Sequence, residues 1–446
     1  MTSTLPRPGV TAPAAWLFPV PQQHQLANGL RVMTYDLPGR ELATVRLVLD
    51  APLAAEGRDG TASLAAKLWT AGTDEDDAET FARKVESVGA TYHASALHAG
   101  PIASMTVPTR QLASALHLLA ASVIRPAYAD DEFARARHEQ LDRIAANRAR
   151  SENRGNMELC GLVFTPESRL SRPVDGSIDD VAALDVDAVR AYHSEQIVPS
   201  AATLLLIGDF SGTDVVAIVK EEFGDWSGSR PEQPESEAGA ATARVAVVDR
   251  PGSVQTIVRI GAPSIDRHHS DWAALQIALY VVGGHMNSRL STVLREEKGY
   301  TYGISCRLDP QRHGGLLLVD CSVATDVTGP ALADIAEILR AAVSGGITPA
   351  ERDLAADNFL LAGPIAYQTS DAIANRAVRL VTDGLTPDFI NNWQESIRQV
   401  TAADASRALR DHLDLARLSL VLVGDAAAIE AAVCESWPGE PTIIPA

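Results

Sequence analysis

Long hydrophobic runs are missing from this sequence. No stretch of about 18 apolar residues, the least that crosses a bilayer as a helix, occurs in its 446 residues. Cysteine is scarce and unpatterned: Cys160, Cys306, Cys321 and Cys434 are the only four, and none stands in CxxC spacing. A disulfide framework and a thiolate zinc finger are therefore not expected, and reduced, buried thiols in a cytoplasmic protein are. Positive charge is in deficit, with 38 Lys and Arg against 57 Asp and Glu and a formal net charge of −19. Nucleic acid and anionic membrane both need a basic face, so neither suits this chain, whereas basic peptides do. Also absent are a P-loop, a GxGxxG after a strand, a GxSxG elbow and an HExxH helix. The opening MTSTLPRPGVTAPAAWLFPVP is broken by proline and lacks a charged segment leading into a continuous apolar one, so it does not read as a signal peptide.

What remains is an ordinary globular balance, 46% hydrophobic and 21% charged, enough for two large domains or several small ones. The chain looks written twice. Thr203–Asp209 (TLLLIGD) returns as Leu418–Asp425 (LSLVLVGD), which sets Gly208-Asp209 against Gly424-Asp425. Asp187–Ala191 (DAVRA) matches Asp404–Ala408 (DASRA) at almost the same offset. Ala51-Pro52 matches Ala262-Pro263 at an offset only slightly smaller, each pair closing an apolar strand. Three matches in one order at nearly one offset point to two homologous domains. Between them, SGSRPEQPESEAGAAT has no apolar period and reads as an extended linker. The expected division is 15–226, a linker at 227–242, and 243–440. The stretch before that division and the closing PGEPTIIPA read as irregular.

Strands are expected at Leu30–Tyr35, Ala43–Leu49 and Ile102–Val107, and helices at Thr61–Ala71, Glu75–Val88, Arg110–Val123 and Asp130–Asn147. Strands separated by long helices, without strict βαβα alternation, predict an α+β fold. Each half would hold an antiparallel or mixed sheet with helices mainly on one face.

Three regions are candidates for chemistry. On the helix from Thr61, Ser63, Ala66 and Lys67 share one stripe, which by itself binds no metal and moves no proton. In GGHMNSRLSTVLREEKGYTYGISC, a helix from about Asn287 carries Leu290, Val293 and Leu294 inward and ends at Gly299. A strand with Tyr300, Tyr302, Ile304 and Cys306 on one face is expected next. Arg295 and Tyr302 would then aim a guanidinium and a phenol at one place, a donor set suited to a peptide carbonyl and its oxyanion. The plain alternative is a core tyrosine and an arginine that complements a helix C-terminus. The third region, Asp130–Asn153, reads as a charged helix face with Phe133, Leu141 and Ile144 inward. Among histidines, His93 and His98 fall on a presumed strand facing opposite ways, and adjacent His268 and His269 diverge. His193 and Glu195 offer two ligands without a third, short of a catalytic zinc set.

Asn28–Val32 (NGLRV), the Gly72-Thr73 pair after a helix, strands ending in Gly-Asp, and SRLSTVLREEKGYTYG in the second half together resemble the insulinase-like (pitrilysin-type) zinc peptidases. The similarity is greatest to the bacterial heterodimers and the mitochondrial processing peptidases, and it runs from about Val20 to Trp437. In that family the first-half helix carries HxxEH, with a distal Glu as third protein ligand. The resemblance places those positions here at Ser63, Ala66, Lys67 and Arg143, with Glu139 as the neighbouring alternative for the last. Every one has departed. Lys67 and Arg143 put positive charge where a dication belongs, so no metal is expected in this chain.

The family's second-half pair, an Arg followed at fixed spacing by a Tyr, is matched by Arg295 and Tyr302. The resemblance thus implies a non-catalytic subunit that binds no cofactor itself. It would supply Arg295 and Tyr302 to the zinc site of a homologous HxxEH partner acting on a peptide. Two rival readings are a scaffold of the same fold without a catalytic role, and an enzyme with a metal site moved near His193 and Glu195.

Overall fold

The computed structural model describes residues 16–233 and 239–445; the expectation of an irregular start to the chain falls outside them. Two six-stranded mixed sheets form. The first comprises β1 (Gln22–Gln25), β2 (Arg31–Asp36), β3 (Leu42–Leu49), β4 (Thr91–Leu97), β5 (Gly100–Pro108) and β6 (Ala202–Gly208), in the order β1-β2-β6-β3-β5-β4. The second comprises β7 (Val245–Asp249), β8 (Gln255–Ser264), β9 (Ile304–Pro310), β10 (Gly315–Ala324), β11 (Ser419–Gly424) and β12 (Pro441–Ile444), in the order β12-β7-β11-β8-β10-β9. The Gly-Asp strands β6 and β11 occupy the same place. Each runs parallel to one neighbour, β2 or β7, and antiparallel to the other, β3 or β8. The α+β reading holds, and the repeat is structural.

The halves differ at one edge. β1 precedes β2 and pairs with it antiparallel, whereas β12 comes from the far end of the chain and pairs parallel with β7. PGEPTIIPA was expected to be irregular, but past Pro441 the run Thr-Ile-Ile suits a pleated edge, and the unpaired side of β7 supplies the ladder. Ala262-Pro263 lies within β8 instead of closing it.

Helices α1 (Thr61–Leu68), α2 (Ala78–Ser87), α3 (Leu112–Ile124) and α4 (Asp130–Ala149) accompany the first sheet. Leu64 and Leu68 of α1 and Leu116 of α3 join Val45, Leu47, Leu204 and Leu206 in one buried cluster. This covers only one face. β6 is buried along its whole length, as its unbroken apolar run requires. The other face, with Met33, Tyr35, Leu205 and Ile207, is covered by Ile373, Ala377 and Val381 from the helix Ser370–Thr382 of the second half. Reciprocally, Leu159 and Val163 of α5 (Ser151–Val163) lie on Val248, Ile257, Val421 and Val423 of the second sheet. The two exchanged helices are both 13 residues long.

A buried arginine marks each exchange. Arg46 on β3 and Arg259 on β8, each 7% exposed, donate through Nη1 to the carbonyl of the residue before, Val45 or Val258, at 3.0 Å. Arg46 also pairs with Asp371 on the helix laid over it, and Arg259 Nε donates to Asn156 Oδ1 of α5 at 2.6 Å. A charge in mid-strand is tolerable because the exchanged helix supplies its partner.

If the exchange holds the halves together, Leu159→Ala, a truncation between α5 and the second sheet, should cost about 2–5 kcal/mol in denaturant unfolding. Leu354→Ala, at an exposed position, should stay within about 0.5 kcal/mol. Equal effects would contradict this account.

Candidate functional site

The start of α1 is held by an ion pair sealed from water. Glu56 Oε2 accepts the Ala62 N–H at 3.0 Å, and Glu56 Oε1 meets Arg169 Nη2 at 2.8 Å. Burial pushes the Glu56 carboxyl up, with Arg169 opposing. Arg169 also donates to the Arg172 and Pro173 carbonyls, which pins residues 169–174 against the helix. Gly60, at φ +93° and with the Asp175 carbonyl 2.6 Å from where a Cβ would stand, makes the entry turn that no other residue fits.

Along α1, Ser63 is buried with its hydroxyl toward the Val174 carbonyl at 3.4 Å. Ala66 is fully buried and has no donor atom. Lys67 reaches the surface, its Nζ 3.5 Å from Glu139 Oε2 on α4. Of the two candidates for the distal position, Glu139 is the one facing α1. Arg143 instead forms a two-pronged pair with Asp175, at 3.1 and 3.2 Å. Gln140 ties α4 to the α1 entry by donating to the Gly60 and Asp175 carbonyls at 3.2 and 2.8 Å.

A hydroxyl, a methyl and an ammonium do not make a zinc set. The carboxylate within reach, Glu139, is engaged by Lys67 and by Arg135 Nη1 at 2.8 Å. Slight desolvation works against its ionised form, yet these two cations hold its pKa below the usual range. The residues at these positions do not fit the metal.

In the second half, Ser288 caps a short helix, Arg289–Ser291, that widens into a π-helical turn over Thr292–Glu297 and ends at Gly299, φ +66°. Such widened turns are frequent at functional sites. Leu290 and Leu294 are buried and Val293 is half-buried. Arg295 projects from the widened turn, with Nη1 2.8 Å from Met286 Sδ and Nε 3.4 Å from Glu296.

The expected strand face is corrected here. β9 begins only at Ile304, so Ile304 and Cys306 are buried on it, and Tyr302 lies in the turn before it, 96% exposed. The Thr301 hydroxyl causes this. It donates to the Gly303 carbonyl at 2.8 Å and accepts the Gly303 N–H at 3.1 Å, clipping the backbone around Tyr302 and turning the phenol outward. A core tyrosine is excluded.

The remaining expectations for α4, the thiols and the histidines divide. Phe133 and Ile144 are buried and Leu141 half-buried, and α4 stops at Ala149 before α5. Cys434 is exposed, contrary to the expectation of four buried thiols, while Cys306 and Cys321 are buried. His98 sits in the turn after β4, not on the strand. His193 Nε2 meets the Val123 carbonyl at 2.8 Å and its ring packs edge-on to Tyr128, while Glu195 is exposed. No metal site assembles from His193 and Glu195 among the described residues.

One grouping escaped the sequence. His269, Asp271 and His412 bring donor atoms within 4.8 Å of one another, across a separation in the chain that no spacing rule spans. Its atoms are already engaged. Asp271 accepts from Arg407 at 2.7 Å and meets His412 Nε2 at 3.0 Å, and its own N–H donates to His269 Nδ1 at 3.0 Å. Hydrogen bonds from Arg407 and His412 lower the Asp271 carboxyl to about 2. This is an ion-pair cluster.

Two measurements follow. Metal analysis of the purified chain should find no stoichiometric zinc; one zinc per chain that survives dialysis would contradict the site geometry. Burial lowers the pKa of His193, and that of His98 to about 4. Unfolded imidazoles protonate near pH 6.5, so these groups stabilise the fold above that pH and lose their contribution as pH falls from there toward about 4. Thermal midpoints should fall over that window, less steeply in His193→Phe. An unchanged slope would contradict it.

Comparison with known proteins places this geometry. A family profile described as "Peptidase M16 inactive domain" matches residues 183–359. An uncharacterized zinc protease of Mycobacterium tuberculosis (strain ATCC 25618 / H37Rv) is 26% identical over 427 residues, covering 94% of this chain and 96% of that protein. The "Probable inactive metalloprotease YmfF" of Bacillus subtilis (strain 168) is 24% identical over 311 residues, 67% of this chain and 71% of that protein. Among solved structures, the peptidase M16 inactive domain from Pseudomonas fluorescens superposes with a TM-score of 0.84 at 20% identity, covering 91% of this chain and 97% of that one. A protease from Helicobacter pylori gives 0.81 at 19% identity, covering 91% and 100%. No helix among the described residues is long and apolar enough to cross a membrane. The chain is thus similar over most of its length to M16, or insulinase-like, peptidases, among them proteins described as inactive.

Proposed function

We propose that this chain is the non-catalytic subunit of a heterodimeric zinc metalloendopeptidase, working in the cytoplasm. A homologous partner bearing HxxEH would supply the zinc and the water-activating glutamate, and this chain would supply Arg295 and Tyr302. The observation that carries the reading is the exposure of Tyr302, 96%, in a turn built to present it. Arg295 stands on the neighbouring widened turn, with only Met286 and Glu296 as partners among the described residues. A phenol with no task inside its own chain is available to another.

Both groups are hydrogen-bond donors. A peptide carbonyl oxygen placed before them accepts from both. As that carbon is attacked and the oxygen gains negative charge, both bonds strengthen, so the transition state is favoured over the ground state. Neither residue has to release a proton. The net charge of −19 favours a basic peptide segment through long-range steering.

The test is to mix the chain with an HxxEH-bearing homologue and assay peptide cleavage. The chain alone should be inactive. In the pair, Arg295→Ala or Tyr302→Phe should each lower kcat by about 10²–10³ without moving the unfolding midpoint. Full activity with both residues changed would make this chain a scaffold, and cleavage by the chain alone, abolished by a chelator, would overturn the proposal.

A further inference from the structure

Where the two halves meet, between the β4–β5 turn and the β9–β10 turn, lies a cavity of about 500 Å³. Its lining includes the apolar side chains of Pro52, Leu97, Ala99, Leu170 and Val174. It also includes Arg230, Arg312 and Arg379. Arg230 and Arg312 continue into an adjoining cavity of about 450 Å³, which Arg31 also lines.

The charge balance of this junction reverses that of the chain. Arg312 Nη1 and Arg230 Nη2 share one carboxylate, Asp50, at 2.7 and 2.8 Å. Arg31 stands close enough that, beyond its own burial, Asp50 raises its pKa while Arg312 and Arg230 lower it. Arg267 pairs with Asp383, and Asp309 is the remaining acid in the cavity wall. The two linings together thus hold four arginines, Arg31, Arg230, Arg312 and Arg379, against three aspartates, Asp50, Asp309 and Asp383, in a chain where acids outnumber bases 57 to 38.

The guanidiniums are not equally engaged. Arg312 is fixed, its Nε and Nη2 donating to the Thr382 and Val381 carbonyls. Arg379, on the exchanged helix Ser370–Thr382, has no ion pair or side-chain hydrogen bond among the described residues. His98, also in the wall, is kept neutral: burial lowers its pKa to about 4, and Arg169 and Arg379 act in the same direction. The positive excess therefore belongs to arginine and persists across the physiological pH range.

We propose that this cavity binds a small organic anion, with an apolar body against Leu97, Leu170 and Val174 and a carboxylate or phosphate group on Arg379 and Arg230. The volume matches ordinary small-ligand sites, which run about 300–1,000 Å³. Guanidinium forks are the natural receptors for either planar carboxylate or phosphate oxygens. A lining that combines apolar side chains with arginines selects an anion that has a body and disfavours a bare ion. Neither Arg295 nor Tyr302 lines the cavity, so the inference stands apart from the peptidase reading.

Calorimetric titration of the whole chain tests it. The probes are 4-phenylbutyrate and phenyl phosphate, with 4-phenylbutan-1-ol and inorganic phosphate as controls, all at constant ionic strength. At least one organic anion should bind at millimolar concentration or below, roughly tenfold or more tighter than either control. Which of the two binds identifies the head group. Arg379→Met should weaken that binding by roughly tenfold or more and leave the unfolding midpoint unchanged. The proposal is overturned if neither anion binds, if the alcohol matches the acid, if inorganic phosphate matches phenyl phosphate, or if Arg379→Met binds as the unaltered chain does.

Discussion

Each sheet in this molecule has two apolar faces and enough helices of its own to cover one. That constraint organises the rest. β6 and β11 are buried along their whole lengths, so a half standing alone would expose a hydrophobic sheet surface to water. The chain meets the need by exchange: α5 crosses to the second sheet and Ser370–Thr382 crosses to the first. Two units of like topology become one body, and Arg46 and Arg259 fix the seating of each crossed helix through directed hydrogen bonds that apolar packing alone would not specify.

The α1 region is tightly braced, with the sealed Glu56–Arg169 pair at the helix entry and the Gln140 bridge from α4. Lys67 and Glu139 neutralise one another across the space between α1 and α4. A half-exposed pair of this kind contributes little to stability, about 0–1 kcal/mol; its consequence is chemical, because it occupies the carboxylate. The second half shows the opposite pattern, with a widened helical turn and a side-chain-clipped loop spent on presenting an arginine and a tyrosine outward.

Much of the architecture was legible because it is written in local pattern. TLLLIGD and LSLVLVGD are apolar on both faces, which fits only a central strand, and their recurrence announced the repeat. Helices α1 to α4 lie within a few residues of their expected bounds, since amphipathic spacing and capping act locally. Three features were not legible, for one reason. The exchange of α5 depends on a surface far along the chain. The β12 edge exists because β7 offers it a free ladder. The His269–Asp271–His412 cluster is joined only by the packing of two distant segments. The strand expected to carry Tyr302 failed differently: alternation set Tyr302 on one face with Ile304 and Cys306, whereas β9 starts at Ile304 and the hydroxyl of Thr301 clips the backbone before it.

Division of labour between two chains is the central claim, and a structure of the assembled pair with a bound peptide examines it most directly. The account predicts the Tyr302 hydroxyl and the Arg295 guanidinium within hydrogen-bond distance, about 3 Å, of the peptide carbonyl at the companion's metal. Finding both groups turned to solvent in that complex, or the metal lodged between α1 and α4 of this chain, would contradict it.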